Sequence, residues 1–188
     1  QNDFQVALIQ FDKLIDITSD DTFLAGVYYS RGDAFTGMQD WKSALRSYLK
    51  SYELESDGNY AAKALKASYQ TALMPLNENN FELAIIQFDS LINIIPSGPL
   101  LTAAHYSKGD AFSELEEWKA AGKSYLESFK LEPDGKYAAK ALMNVGISLG
   151  KMQKINEACN ILNRVEARFP RNQIVEEAQY EMQILGCS

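Results

Sequence analysis

Histidine, cysteine and proline are scarce in this sequence: its 188 residues include one histidine, two cysteines and five prolines. A single histidine leaves little material for a Ser–His–Asp or Cys–His arrangement of the kind used in nucleophilic catalysis. That residue, His105, stands where a second copy of the same sequence pattern has Tyr28. We therefore interpret it as a packing or surface residue, and we predict a protein that is not an enzyme and has no metal site and no cofactor.

Long hydrophobic segments and an excess of positive charge are also missing. The apolar run around Ile92 to Ile95 is far shorter than the roughly 20 residues that cross a bilayer, so no membrane insertion is expected. The sequence has 18 Lys and Arg against 25 Asp and Glu, a formal net charge of −7. Because a protein that binds phosphates needs a basic face, nucleic acid is not an expected partner. No leader pattern begins the sequence, and we expect any signal peptide to lie outside it.

What the sequence does contain is an internal duplication. Residues 4–65 align with residues 81–142 without a gap, and 33 of the 62 aligned positions are identical. One identical stretch runs from Tyr60 to Leu65 in the first copy and from Tyr137 to Leu142 in the second. Self-similarity at a fixed spacing is typical of proteins built from stacked structural repeats.

A shorter period of 37 or 40 residues lies inside the duplication and is marked by alanine. The alanines that head the five related stretches are Ala7, Ala44, Ala84, Ala121 and Ala158. In each stretch further packing positions follow four and seven residues later, which is the spacing of one face of an α-helix. Proline follows three of these stretches, at Pro96, Pro133 and Pro170, and predicts the ends of the helices.

A second helical pattern separates these stretches, and glycine recurs in it. Gly32, Gly109 and Gly146 each lie twelve residues before a marker alanine. Glycine inside a helix costs about 1 kcal/mol relative to alanine, so its recurrence predicts a close approach of two helices whose backbones touch. The second repeat differs, because Tyr69 occupies the glycine position and three extra residues occur near Pro75 to Asn80. We expect a local irregularity there.

The combined glycine, alanine, aromatic and proline pattern resembles the tetratricopeptide repeat (TPR). Its best copy consists of Gly109, Phe112, Ala121, Tyr125, Ser128 and Pro133. The resemblance implies an all-α fold, a right-handed superhelical solenoid of antiparallel helix hairpins with about ten helices. We predict a single solenoid over residues 1–188. Its predicted parts are a leading helix (3–17), four helix pairs (22–54, 58–94, 99–131 and 135–168) and a closing helix (172–186).

In TPR proteins the first helix of each pair lines a concave groove, and the resemblance implies a partner-binding face there. The residues mapped to this face are Tyr29, Asp33, Lys63, Lys66, Gln70, Tyr106, Asp110, Lys140, Met143, Ile147 and Lys151. Four lysines on one face of an acidic protein favour a protein or peptide segment that carries carboxylates or carbonyl groups. The alternative is that Tyr29 and Tyr106 pack against adjacent helices instead of facing a partner.

The two cysteines both fall in the final predicted helix pair. Cys159 lies early in one helix, and Cys187 lies just past the end of its antiparallel partner. With a turn near Arg171 and Asn172, both come to the same end of the hairpin, within a few ångströms along its axis. We predict a disulfide that ties down the terminal helix, in an oxidising compartment. The alternative is a pair of buried free thiols.

The last third of the chain carries a narrower resemblance. It contains Glu157-Ala158-Cys159, Arg168-Phe169-Pro170 and Leu185-Gly186-Cys187. This part is similar to the C-terminal TPR domain of the periplasmic Tol–Pal system protein, the cell-division coordinator family of Gram-negative bacteria. The resemblance implies a non-enzymatic periplasmic adaptor. Such an adaptor binds the energy-transducing inner-membrane Tol protein and coordinates outer-membrane constriction with peptidoglycan synthesis.

Two other interpretations fit the same pattern. One is a TPR lipoprotein of outer-membrane protein assembly, for which a lipidated N-terminal cysteine is needed; the sequence has no cysteine before Cys159. The other is a generic TPR chaperone or scaffold that holds peptide segments. This sequence also has more repeats than is usual in the Tol–Pal family, and the length of a groove determines what it binds.

Overall fold

The computed structural model describes residues 2–187, and all regular secondary structure in that range is helical. The helices are α1 (Asn2–Ile17), α2 (Asp21–Gly37), α3 (Trp41–Leu54), α4 (Ala61–Asn77), α5 (Phe81–Ile92), α6 (Pro99–Glu114), α7 (Trp118–Leu131), α8 (Ala138–Lys151), α9 (Ile155–Arg168) and α10 (Ile174–Leu185). The predicted all-α class with about ten helices is confirmed. None of the described helices is long and apolar enough to cross a membrane.

The helices form two compact units whose boundary falls between Ile95 and Pro96. Unit 1 contains α1 to α5, and unit 2 contains α6 to α10. Within each unit every helix packs against the next helix in the chain. The connections between consecutive helices are short, and short connections favour antiparallel neighbours. Each unit is therefore built from helix hairpins.

Four of the turns between helices have the same backbone conformation. Each contains a non-glycine residue with positive φ, at Gln39 (62°), Asn79 (59°), Glu116 (58°) and Gln153 (63°). Each of these residues lies five positions before one of the marker alanines 44, 84, 121 and 158. All four of those alanines are 0% exposed. The left-handed residue therefore ends the first helix and aims the second so that its alanine packs inward.

The recurring glycines are explained by large side chains that lie directly on them. A Cβ atom at Gly32 would be 2.5 Å from the Tyr48 ring, and one at Gly109 would be 2.7 Å from the Tyr125 ring. At Gly146 the side chain of Leu162 takes the same place, also 2.7 Å away. The helices do approach closely, but the second helix fills the space with a side chain and not with its backbone.

The irregular second repeat is accommodated by a longer first helix. Helix α4 has 17 residues, against 14 in its counterpart α8, and Pro75 lies inside it near the C-terminal end. The turn that follows keeps the conformation of the others, with Asn79 at positive φ. The other repeats have glycine twelve residues before their marker alanine. The residue twelve positions before Ala84 is Ala72, which is 0% exposed. The ring of Tyr69 packs against Phe88, with 6.2 Å between centroids.

The predicted disulfide joins Cys159 to Cys187, with 5.5 Å between the two Cα atoms. Cys159 lies in α9, whereas Cys187 follows the end of α10 at Leu185. Gly186 ends α10 in the left-handed conformation, with φ of 70°, which glycine adopts without a Cβ penalty. That conformation turns the chain, and the amide of Cys187 then donates a hydrogen bond to the carbonyl of Met182.

Candidate peptide-binding faces

A group of three tyrosine side chains joins α2, α3 and the start of α4 in unit 1; we refer to Tyr29, Tyr48 and Tyr60 as tyrosine cluster 1. The ring of Tyr29 lies between the other two, with centroid distances of 5.5 Å to Tyr48 and 5.6 Å to Tyr60. The Nζ of Lys63 lies 5.9 Å from the centroid of the Tyr60 ring. The cluster therefore packs α2 against the start of α4 and forms the face that these two helices share. The ammonium group of Lys63 lies at the edge of this cluster.

The corresponding group in unit 2 is tyrosine cluster 2, formed by Tyr106, Tyr125 and Tyr137. The ring of Tyr106 lies 5.4 Å from Tyr125 and 4.9 Å from Tyr137, the latter pair being stacked. The Nζ of Lys140 lies 5.9 Å from the centroid of the Tyr106 ring. The amide of Asn144 donates a hydrogen bond of 3.2 Å to the Tyr106 hydroxyl. The duplicated sequence thus builds the same aromatic arrangement twice.

A tyrosine–aspartate hydrogen bond supports each cluster. The hydroxyl of Tyr48 donates to Asp33 over 2.7 Å, and that of Tyr125 donates to Asp110 over 2.8 Å. Burial raises the pKa of Asp110 to about 6, although the bond from Tyr125 and the charge of Lys140 act in the opposite direction. Burial also raises the pKa of both tyrosines, so each hydroxyl keeps its proton at neutral pH and acts as a donor.

The two clusters differ in how much of them reaches the surface. In unit 1, Tyr29 is half-buried, and the predicted site residues Asp33, Lys63, Lys66 and Gln70 are exposed. In unit 2, by contrast, Tyr106 is 5% exposed and is part of the packed core. Unit 1 therefore presents the more accessible face of the two.

Burial in unit 2 separates the predicted residues into two groups. Met143 is 3% exposed, and like Tyr106 it packs within the core of the unit. Asp110 and Ile147 are partly exposed, whereas Lys140 and Lys151 are exposed. The side chain of Lys151 lies over the Trp118 ring, 5.6 Å from the centroid. The sequence left open the alternative that Tyr29 and Tyr106 pack against adjacent helices. Tyr106 does pack in this way, and Tyr29 does so in part.

Each face is adjacent to a cavity. In unit 1 a cavity of about 160 Å³ adjoins tyrosine cluster 1 and is lined by Thr36, Trp41, Tyr48, Ala67, Gln70, Thr71 and Met74. In unit 2 a cavity of about 440 Å³ is lined by Met143, Ile147, Glu176, Glu177, Tyr180 and Glu181. Apolar walls at the first and carboxylates at the second give the two faces different chemistry.

Sequence reasoning missed several residues of these faces. Tyr60 and Tyr137 come directly before α4 and α8, so a register counted within helices leaves them out. The signal that could have found them is the identical stretch that begins at both tyrosines. The residues that α10 contributes in unit 2 were missed as well, because adjacent glutamates such as Glu176 and Glu177 are solvent-facing by default.

Comparison with known proteins supplies structural neighbours and no sequence relatives. No protein-family model matches the chain, and no curated protein matches it. The apo form of RapI superposes with a TM-score of 0.61 at 16% identity, covering 97% of this chain and 52% of that one, so this chain spans about half the length of RapI. YrrB, a TPR protein with an unusual peptide-binding site, gives a TM-score of 0.58 at 19% identity, covering 93% and 81% of the two chains. The fold is that of tetratricopeptide repeats.

A third structural neighbour was solved in a complex. The TPR2AB domain of yeast Sti1, solved in a complex with pHSP90, gives a TM-score of 0.54 at 11% identity. It covers 98% of this chain and 80% of that one. At identities this low the three neighbours establish the fold alone. Within residues 2–187, no group of three or more His, Cys, Asp or Glu side chains is arranged to hold a metal ion.

Proposed function

We propose that this chain is a non-enzymatic protein-interaction module that binds an extended segment of a partner protein on the face shared by α2 and α4. The observation that carries the proposal is that three exposed polar side chains of α4 lie on the face formed by the packed rings of tyrosine cluster 1. Lys63, Lys66 and Gln70 share one face of α4 at spacings of three and four residues. Lys63 lies over the Tyr60 ring, and Gln70 lines a cavity together with Tyr48. The adjoining cavity of about 160 Å³ has space for a single side chain of the partner.

The chemistry of this face favours a segment with carboxylates. The chain has a net charge of −7, yet the exposed positions of α4 at this face carry Lys63 and Lys66. Lysine donates hydrogen bonds to carboxylates and carbonyl oxygens, and Gln70 both donates and accepts. The rings of tyrosine cluster 1 add apolar contact area and are already held by packing. Little ordering is therefore required when the partner binds.

The experiment is a selection of displayed random peptides on the full chain, followed by affinity measurement of the selected peptides by fluorescence anisotropy. We expect Lys63→Glu with Lys66→Glu to weaken binding by about tenfold or more, because two attractive charges become repulsive. Lys119→Glu with Lys123→Glu is the control matched in charge, since both lysines are exposed on α7 and belong to neither face. Lys140→Glu tests the corresponding face of unit 2.

Circular dichroism must show unchanged helical content in these variants. The proposal is wrong if every selected peptide binds the Lys63→Glu, Lys66→Glu protein as tightly as the unaltered protein. It is equally wrong if the Lys119→Glu, Lys123→Glu control loses as much affinity, because the effect would then reflect net charge and not the face of α2 and α4.

The finer proposal is a periplasmic adaptor of the Tol–Pal type, with the energy-transducing inner-membrane Tol protein as a partner. Its support is the resemblance of the last third of the sequence together with the disulfide between Cys159 and Cys187, since disulfides persist in oxidising compartments. We expect the chain to co-purify with that Tol protein from envelope extract. We expect the Lys63→Glu, Lys66→Glu variant to lose this co-purification. Co-purification with outer-membrane assembly proteins, or with unrelated peptides only, would favour the lipoprotein or the generic scaffold instead.

A further inference from the structure

A second cavity of unit 1 shares no residue with tyrosine cluster 1. It has a volume of about 440 Å³, within the roughly 300–1,000 Å³ range typical of ligand sites, and helices α2, α3 and α5 form most of its wall. The apolar side chains that line it are Leu45, Leu49, Leu83, Ile86 and Ile94. One of them, Ile86, is 59% exposed, so the groove presents an apolar side chain that a bound partner would cover. We refer to this cavity as the α3–α5 groove.

Charged side chains surround the α3–α5 groove, and most of them are basic. Its lining includes Arg31, Lys42, Arg46 and Lys50 against one acid, Glu53. Arg31 pairs with Asp12 over 3.1 Å and Lys50 with Glu53 over 3.3 Å. In the part of the chain that the structure describes, Lys42 and Arg46 form no ion pair. A basic rim on a chain with a net charge of −7 attracts an acidic ligand.

The groove also contains buried polar atoms that lack a partner. Gln87 is 1% exposed, and neither its Oε1 nor its Nε2 has a hydrogen-bond partner; the Nε of Arg31 is unpartnered as well. Both residues line the α3–α5 groove. A buried side-chain amide without partners destabilises the fold, and a ligand that supplied the missing hydrogen bonds would offset that cost. The corresponding position of the last helix pair, three residues after Ala158, is Ile161, so an aliphatic residue is compatible with this repeat.

From these observations we propose that the α3–α5 groove binds an extended acidic peptide segment. One residue of an extended peptide directs its N–H and C=O to the same side. The Gln87 amide is buried beneath the groove lining, so the proposed binding includes a change of its rotamer that turns the amide toward the peptide, where Oε1 accepts from the N–H and Nε2 donates to the C=O. Carboxylates on the segment pair with Lys42 and Arg46, and its apolar side chains cover Ile86 and its aliphatic neighbours. This site is separate from the face of α2 and α4, and it allows the chain to hold two segments at once.

The experiment uses the same displayed peptide library on the full chain, with variants chosen for this groove. Peptides that combine Asp or Glu with aliphatic residues are expected to lose about tenfold or more in affinity with Lys42→Glu, Arg46→Glu. The matched control is Lys119→Glu, Lys123→Glu, the equivalent pair in the second copy of the duplication. Each peptide is also measured on Lys63→Glu, Lys66→Glu, which separates groove peptides from those that bind beside tyrosine cluster 1.

Gln87→Ile provides a readout that a purely structural role would not give. We expect a higher melting temperature, because the unpartnered amide is removed, together with about tenfold weaker peptide binding, because two hydrogen bonds are lost. The proposal is overturned if no selected peptide distinguishes Lys42→Glu, Arg46→Glu from its control, or if Gln87→Ile binds as tightly as the unaltered chain. It is also overturned if Lys42→Glu, Arg46→Glu weakens the binding of the chain to phosphatidylglycerol vesicles while every selected peptide still binds as tightly as before.

Discussion

Replacing Asp110 by asparagine is expected to stabilise the folded protein at neutral pH. Burial raises the pKa of Asp110 from 3.8 to about 6, so the folded state holds this proton more tightly than the unfolded chain does. Stability therefore falls as pH rises from 3.8 to 6 and stays reduced above that range. This pKa difference of about two corresponds to a loss of about 3 kcal/mol in the free energy of unfolding at pH 8, an upper value because Asp110 is partly exposed to screening by solvent.

The asparagine side chain of this variant keeps an oxygen that can accept the hydrogen bond from Tyr125, while the charge is removed. We expect Asp110→Asn to raise the free energy of unfolding by about 1–3 kcal/mol at pH 8 and to change it little at pH 4. The assay is urea unfolding followed by circular dichroism at several pH values between 4 and 8. The control is Asp33→Asn, which alters the equivalent tyrosine–aspartate pair where the carboxylate is exposed, and its expected effect is within about 0.5 kcal/mol.

Two results would refute this reasoning. If Asp110→Asn and the unaltered chain show the same difference in stability between pH 4 and pH 8, the charge of Asp110 is not destabilising. If Asp33→Asn gives the larger gain at pH 8, burial is not the cause, because the more exposed carboxylate would then be the more costly one.

Further predictions concern the disulfide, the repeated glycines and the two binding surfaces. Reduction of the bond between Cys159 and Cys187 should lower stability by about 3–4 kcal/mol for its 28-residue separation, with hydrogen exchange rising first in α10; uniform exchange would contradict this. Gly109→Ala should destabilise by about 1–3 kcal/mol despite better helix propensity, because the Cβ meets the Tyr125 ring; a rise in melting temperature would contradict the close approach. Lys63→Glu with Lys66→Glu and Gln87→Ile should each weaken a different set of selected peptides.

The helices were predictable because their packing residues recur at a spacing that only a helix can place on one face. The marker alanines Ala44 and Ala121 are 0% exposed, as that spacing requires. The glycine pattern predicted a close approach, but it could not identify the atoms that meet there. The Tyr48 ring that lies on Gly32 belongs to the following helix, and its rotamer depends on packing that a sequence period does not specify.

The candidate site was less predictable because identical residues in the two copies have different neighbours. Tyr29 and Tyr106 occupy equivalent positions, yet α4 carries Lys66 and Ala67 where α8 carries Met143 and Asn144. Met143 and Asn144 help to hold Tyr106 in the core, whereas the shorter or charged pair leaves Tyr29 half-buried. Burial depends on three-dimensional neighbours, and the repeat register alone does not supply them.

The α3–α5 groove was not predictable at all from the pattern. Gln87 falls among apolar residues on a helix whose period is satisfied without it, and the sequence does not reveal that its amide has no partner. Neither does it show that Arg46 and Lys42 line the same cavity as Ile86. Such features depend on the packing of three helices, which a one-dimensional period does not encode.

The most direct test of the proposed binding face is photo-crosslinking of a selected peptide to the full chain. Benzoylphenylalanine replaces either Gln70, beside tyrosine cluster 1, or Arg164, an exposed residue of α9. The proposal predicts that peptides sensitive to Lys63→Glu, Lys66→Glu crosslink to the probe at position 70 and not to the probe at position 164. Equal crosslinking at both positions, or crosslinking at position 164 alone, would contradict a binding face formed by α2 and α4.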